Sequence, residues 1–558
     1  MVYKTLHWYI FRDLLRIFFL TASALTTLLA FGGMFKPFTK QGVDIRQLMV
    51  IMMNLMPAML AYAIPIAALF AAVLVYWRIS TDNELTACRA GGISFYSIVF
   101  PAFVLGVVVA AVDWGFVNYV VPKFLQATEQ AVRRDAASLL VNQINRQEKF
   151  QLGNFVIYAD AAREEPSNQP NVSHVILNGM AAAQLKNGKP QFLVIAKQAV
   201  ATINNHPETG SSDFTCKLTD AAAFDPNNFQ KATGSIDSFP PGNRPIPVPS
   251  FLKDKPKFYN RTALQDLIDN PFPFPDVAKY LTDMEDRYTF ETIQTRIYDL
   301  WKTNSPDGKK PLVFTAVDAG SPIPSEYRLY APAANLAPDH TVTFVSRPNV
   351  APVRVEQYIK GVLQSSFTCD AVDFLIGEDQ FAGGATTAKL QLHDNVMRRD
   401  VIRKIAPTPA GTIVVSGIQL PDDITDVTVP DPKHLLRESA ASTSPDLRKL
   451  ADNAKDQITR LLNTISSEFN SRGSFSLSCL TLVLLGAALG IELRGRNPLA
   501  VFVVGFVPAV ILVLLITAGQ QLAEGASKHP VAGISLIWAG NVLLLGLVVG
   551  VYSVLLRR

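Results

Sequence analysis

The 558-residue sequence offers few places where side chains could do chemistry together. Its seven histidines are scattered, and no H-E-x-x-H or paired C-x-x-C sets ligands at metal spacing. No G-x-x-x-x-G-K-[ST] phosphate loop occurs, so the chain is not built to hydrolyse a nucleotide itself. Acidic pairs such as Glu164-Glu165 and Asp422-Asp423 read as solvated loop charge, and no spacing singles out the two distant carboxylates of a glycosidase. Two features remain. One is the polar stretch TDNELTACRAGGIS, Thr81 to Ser94, lodged between two long apolar runs. The other is Asp113, the one acid between Arg89 and Lys123. An acid inside a membrane span costs about 2.5 to 3.5 kcal/mol. Asp113 therefore faces a cavity or a partner helix, unless it lies near enough the outer end to reach headgroup water.

The polar stretch has its own grammar. Thr81-Asp82-Asn83-Glu84 fits a capping box, with Thr81 as N-cap and Glu84 reaching back. Gly91 and Gly92 then supply a stop, because glycine tolerates the left-handed conformation that ends a helix. Between them fits a helix of two to three turns with Leu85, Cys88 and Arg89 on one face. Such a helix is too short to be stable alone in water. It must rest on the membrane surface, on neighbouring spans or on a partner. On these local features a plain capped connector is an equal reading.

The elements that hold these residues follow from the charges. Arg16 and Lys36 bracket 19 uncharged residues, Arg46 and Arg78 bracket 31, and Arg89 to Lys123 holds only Asp113. Arg472 to Glu492 encloses 19, Arg496 to Glu524 encloses 27, and Lys528 to Arg557 encloses 28. A hydrocarbon core needs about 20 helical residues, so the sequence predicts six transmembrane helices, three at each end. Ala22-Ser23-Ala24 resembles a signal-peptide cleavage site, but the apolar run continues to Phe35, which favours a retained helix. Lys4, Arg12, Arg16, Arg78, Arg89, Arg494 and Arg496 fall on one side together with both termini, and the positive-inside bias makes that side cytoplasmic. The composition agrees with a membrane protein carrying a large soluble insert: 49% hydrophobic and 18% charged, with 36 prolines and 32 glycines. A net charge of +4 without a dense basic tract gives no reason to invoke nucleic acid.

Residues 123–472 then form a periplasmic domain between membrane segments 1–122 and 473–558. A helical stretch leads out of the third span. NFVIYADAA, VSHVILNGM, KPQFLVIAKQAVATIN and GTIVVSGIQL follow with strand-like enrichment and turn residues between them. Strand following strand favours an antiparallel sandwich or jelly-roll over a parallel sheet. SFPPGNRPIPVPS and NPFPFPD read as loops or edges. YLTDMEDRYTFETIQTRIYDLWKT is a helical interruption, and an amphipathic helix from about Ser444 returns to the membrane. Cys216 and Cys369 both lie in this domain. An oxidising compartment would permit a Cys216–Cys369 disulfide, and two separate buried thiols in strands are as good a reading.

DNELTACRAGGIS resembles the D-x-E-L-x-A-x-x-A-x-G-I-S segment between the second and third spans of the LptF/LptG (YjgP/YjgQ) family of lipopolysaccharide export permeases. HWYIFRDLL resembles the family's amino-terminal signature. Pro57 and Pro65 fall where its second span carries prolines, and NYVVP closes the third. SEFNSRGSFSLSCLTLVLLGAALGIELRGRNP resembles its fourth span with the preceding Glu468 and Arg472, and Trp538 and Asn541 match the W-x-x-N of its last. The middle is longer than is usual for the family, which marks residues about 210–399 as an insertion.

The resemblance implies a three-plus-three permease subunit with a periplasmic jelly-roll, paired with a second LptF/LptG-type subunit. It also implies a cytoplasmic LptB-like ATPase dimer that consumes ATP and Mg, and an LptC/LptA-like periplasmic bridge. No cofactor is expected on this chain, and no catalytic residue. Asp82, Glu84, Leu85, Ala87, Arg89 and Gly91 would form the coupling helix that docks on the ATPase. Lys36, Lys40, Lys123, Arg133 and Arg134 stand where the family holds the phosphates and carboxylates of the lipid; interfacial anchoring by snorkelling is the alternative. Gly505 and Pro508 would kink the fifth span. Two other functions compete: an ATP-independent secondary transporter, which needs ion-coupling residues at the midplane, and a membrane-anchored periplasmic sensor or scaffold.

Overall fold

The computed structural model describes residues 2–41, 45–134, 136–146, 149–152, 155–165, 171–186, 189–206, 211–224, 232–235, 238–239, 246–247, 255–305, 308–316, 324–347, 351–379, 385–403, 406–524 and 530–557. It divides into a unit of residues 1–135, 250–274 and 456–558, and a second of 136–249 and 275–455.

The helices of the first three spans are α1 (Val2–Gln41), α2 (Ile45–Thr81), the short α3 (Glu84–Ala90), and α4 (Phe95–Gly115), which runs through a π-helical turn (Phe116–Val120) into α5 (Val121–Arg134). Then come α6 (Ala136–Asn145), α7 (Arg261–Asp269), α8 (Pro275–Asn304), α9 (Asp422–Thr425) and α10 (Pro432–Ala441). The last spans lie in α11 (Pro445–Glu492), α12 (Pro498–Glu524) and α13 (Pro530–Arg557). Among the described residues six helices are long and apolar enough to cross a membrane, as the charge spacing predicts.

α2 and α11 are the central spans, with 67% and 72% of their most apolar stretch buried against 28–44% in the other four. One core joins α1, α2, α4 and α11 through Leu14, Tyr76, Ile98, Leu105 and Val483. A second joins α2 and α11 to α12 and α13 through Leu69, Leu485, Leu512 and Ile537. Small residues let these backbones approach, since apolar helices in lipid associate by close packing rather than by a hydrophobic drive. A Cβ at Gly486 would sit 2.8 Å from the Leu69 carbonyl oxygen, and one at Gly490 2.8 Å from that of Val73. Val503, Val507 and Leu514 of α12 and Val542, Leu543 and Val549 of α13 are left exposed, as a lipid-facing surface requires.

The second unit is antiparallel β structure, curled and jelly-roll-like, with helical insertions. Its first sheet has nine strands among the described residues. Three long ones, Val172–Lys186, Lys189–His206 and Ser211–Phe224, pair in sequence order. Alternate residues such as Val175, Leu177, Val194 and Phe214 point into a core that Leu140 and Ile144 of α6 close. Gly179 has φ +61°, and a Cβ there would meet the Asp160 carboxylate at 2.0 Å. Only glycine fits this kink, where strand 172–186 passes from one partner, Ala161–Glu165, to the next, Phe155–Tyr158. The second sheet has eleven described strands between Leu312 and Gln419, all pairings antiparallel. Ile293, Ile297 and Trp301 of α8 pack on its core.

The disulfide is the alternative that the structure rejects. Cys216 is buried in the core of the first sheet, its thiol 3.8 Å from the Met180 sulfur, and Cys369 in the core of the second. Both are free thiols. Burial pushes Cys216 up to about 12. Burial, with the Asp370 carboxylate nearby, does the same to Cys369.

Candidate functional site

α3 is seven residues long and begins at Glu84, not after a Thr81 cap. Thr81 is the last residue of α2, and the turn between the two helices is made by Asn83, which takes φ 58° with no side-chain cap. The capping box is therefore absent. α2 continues helically through Thr81, so that residue lacks the extended backbone an N-cap needs. Asparagine is among the few residues that accept the left-handed turn at little cost. The stop does fall at the glycines. Gly92 N–H donates to the Arg89 carbonyl (3.0 Å), Ile93 N–H donates to that of Cys88 (3.0 Å), and Gly92 has φ 79°. This is a Schellman ending.

Tertiary packing supplies the stability that so short a helix lacks. Leu85 is 5% exposed and belongs to the same core as Tyr76, Ile79, Phe95 and Ile98. Asp82, Thr86, Ala87, Arg89, Ala90 and Gly91 are exposed and Glu84 is half-buried. The Arg89 guanidinium lies 5.8 Å from the centre of the Phe95 ring. Of the six residues expected to work together, Leu85 thus points into the spans and the others line the outer face. The floor beneath them is tied from several sides. Arg78 pairs with Asp13 of α1, Trp77 Nε1 donates to the Arg496 carbonyl (2.9 Å), and Tyr76 donates to that of Ile98 (2.9 Å). Asp13 lies in the amino-terminal stretch HWYIFRDLL, whereas Trp77 carries no pattern that would single it out in the sequence.

At the other end of the spans α11 is a polar seam. Asp113 of α4 is fully buried and faces a partner: Ser476 Oγ donates to its Oδ2 at 2.8 Å. Its Oδ1 has no hydrogen-bond partner among the described residues. Trp538 and Asn541 stand one turn apart on α13, so both reach α11. Trp538 Nε1 donates to Asn470 Oδ1 (3.0 Å), and Asn541 Nδ2 donates to the Ser474 carbonyl (2.8 Å). Gln520 of α12 donates to Ser471 Oγ (2.8 Å). Arg472, 5% exposed, donates from Nε to Glu468 (3.3 Å). The sequence signal for this seam is the run of serines, SRGSFSLSC, inside an apolar span.

Lys123 is exposed in the first turn of α5. Lys36 and Lys40 of α1 and Arg133 and Arg134 of α5 lie on described helix backbone, but their side chains fall outside the described residues. No group of three or more His, Cys, Asp or Glu residues among the described ones could hold a metal ion.

Six apolar helices, three before and three after an antiparallel β unit, joined by small-residue contacts and a buried polar seam, define a multi-pass membrane protein. The chain matches the family model of the lipopolysaccharide export system permease LptF/LptG over residues 8–243 and 390–557, and it belongs to that family. No curated protein matches it. It is accordingly a multi-pass inner-membrane permease of that family, with its β unit in the periplasm. Residues 244–389 lie outside the family match.

Proposed function

We propose that this chain is the membrane subunit of an ATP-driven lipopolysaccharide exporter. It pairs with a second permease subunit of its family, takes mechanical work from an LptB-like ATPase dimer that binds ATP and Mg, and passes lipid to an LptC/LptA-like periplasmic bridge. Family membership supports the cargo class. The observation that carries the coupling is α3, which keeps Leu85 in the span core while offering Asp82, Ala87 and Arg89 to solvent. A helix held from behind and free in front can be pushed by a partner and move α2 and α4 together. Glu84, Ala87, Arg89 and Gly91 would contact the ATPase, and Leu85 would pass the motion on. Lys36, Lys40, Lys123, Arg133 and Arg134 would hold lipid phosphates at the outer side, as charge-assisted bonds favour.

The test is Ala87→Asp and Arg89→Glu, read by ATPase co-purification and protein level in the membrane. Both should lower ATPase recovery at least about tenfold, as loss of an interface anchor does, with protein level near native. Leu85→Asp should instead lower the protein level, because it buries a charge. Undiminished recovery with both surface variants contradicts the proposal.

A further inference from the structure

The segment Lys255–Phe274 belongs to the membrane unit although it comes from the stretch that the family model does not cover. It starts with a 3-10 turn at Pro256–Phe258 and continues into α7, which Asn260 caps by accepting from Ala263 N–H (2.8 Å). Pro256 and Leu264 are buried.

Two spans of the bundle hold it, the third (α4 running into α5) and α11. Arg472 of α11 donates from Nη2 to the carbonyls of Lys257 (3.2 Å) and Tyr259 (3.1 Å). Gln126 of α5 donates to the Phe258 carbonyl (3.4 Å). The Arg261 guanidinium sits between two rings, 5.6 Å from the centre of Trp114 at the end of α4 and 5.0 Å from that of Phe469 on α11.

Arg472 makes this more than a surface contact. A guanidinium that is 5% exposed depends on the few partners it has, because an unpaired buried charge is strongly unfavourable. Glu468 takes Nε, the partners of Nη2 are the two main-chain carbonyls of the segment, and Nη1 has no hydrogen-bond partner among the described residues. Main-chain carbonyls fix where the segment runs whatever its side chains are. Trp114, Gln126, Phe469 and Arg472 all lie within the family match, whereas the segment does not. Two of these contacts, at Trp114 and Gln126, flank in sequence the π-helical turn Phe116–Val120, and such turns are frequent at functional sites.

We propose that Lys255–Phe274 is a strap that seals the outer end of the span bundle by joining the third span, α4 running into α5, to α11, so that these two spans part there only when the strap lets go. The proposal rests on these contacts and not on which lipid is carried.

Hydrogen exchange of the full chain in nanodiscs tests it. A nine-residue helix is marginal alone, so protection of α7 reports docking. In the unaltered chain α7 amides should exchange at least about 100-fold more slowly than an unstructured segment. Arg261→Ala, and the charge-neutral pair Glu468→Gln with Arg472→Gln, should each reduce that protection at least about tenfold. Strand 172–186 should stay protected, showing that the chain is folded. Arg261→Lys, which keeps the charge but loses the planar stacking, serves as the milder variant and should give a smaller loss. A thiol probe at Ser471→Cys should react at least about tenfold faster with a hydrophilic maleimide once the strap is loosened. An unprotected α7 in the unaltered chain, or protection untouched by the anchor variants, overturns the strap. Lost protection with unchanged labelling at position 471 overturns the seal.

Discussion

Asp113 and Ser476 show how a single polar contact holds two spans. The carboxylate is buried in the bundle, and one of its oxygens accepts from the serine at 2.8 Å. Removing the donor leaves an acceptor without a partner where water does not reach. Ser476→Ala should therefore destabilise the protein by about 1–3 kcal/mol, read as a lower unfolding temperature in detergent. In an Asp113→Leu background the same serine change should cost much less, because the acceptor is gone. Equal losses in both backgrounds would show that the pair does not interact. The sequence allowed this acid a cavity, a partner helix or headgroup water. The partner is a serine more than 360 residues away, and nothing local to Asp113 could indicate it. Thr81 and Glu84 are the opposite case. Their spacing suggests a local cap, but the helix before them runs on, and the turn falls to Asn83.

At the scale of elements, α2 and α11 decide whether the two halves of the membrane unit hold together. Gly486 and Gly490 of α11 let it approach the carbonyls of Leu69 and Val73. Gly486→Leu should cost about 1–3 kcal/mol or more by overpacking and reduce the level of folded protein in the membrane. Gly546→Leu, where a Cβ would meet nothing within 4 Å, should be tolerated. Similar levels for the two variants would contradict this account of the contact. The W-x-x-N spacing on α13 was readable because a helical turn places both residues on one face. The strap was not readable. Its carbonyls carry no side-chain signal, and its proline-flanked sequence looks like any loop.

For the whole molecule, nearly uncharged runs between charged residues were enough to count the spans, since the bilayer sets both their length and their lack of charge. Strand runs such as 172–180 and 189–204 were readable by composition. Their grouping into two sheets was not, because strand pairing across the second sheet joins residues far apart in the chain, such as Thr315 with Gln419. The cysteines illustrate the same limit. DFTCKL and SFTCDA look like a matched pair, yet each thiol completes a different core. The central claim is that α3 receives work from an ATPase and that the spans use it to release lipid. Its most direct test is to purify the tagged chain from its native membrane with whatever accompanies it and rebuild the complex in vesicles containing lipopolysaccharide. Lipid passing to a soluble acceptor would then be measured with and without ATP and Mg. The account predicts a co-purifying ATPase, release that requires ATP, and loss of release in Arg89→Glu with the complex's own lipid binding intact. Release at the same rate without ATP, or with Arg89→Glu, would contradict it.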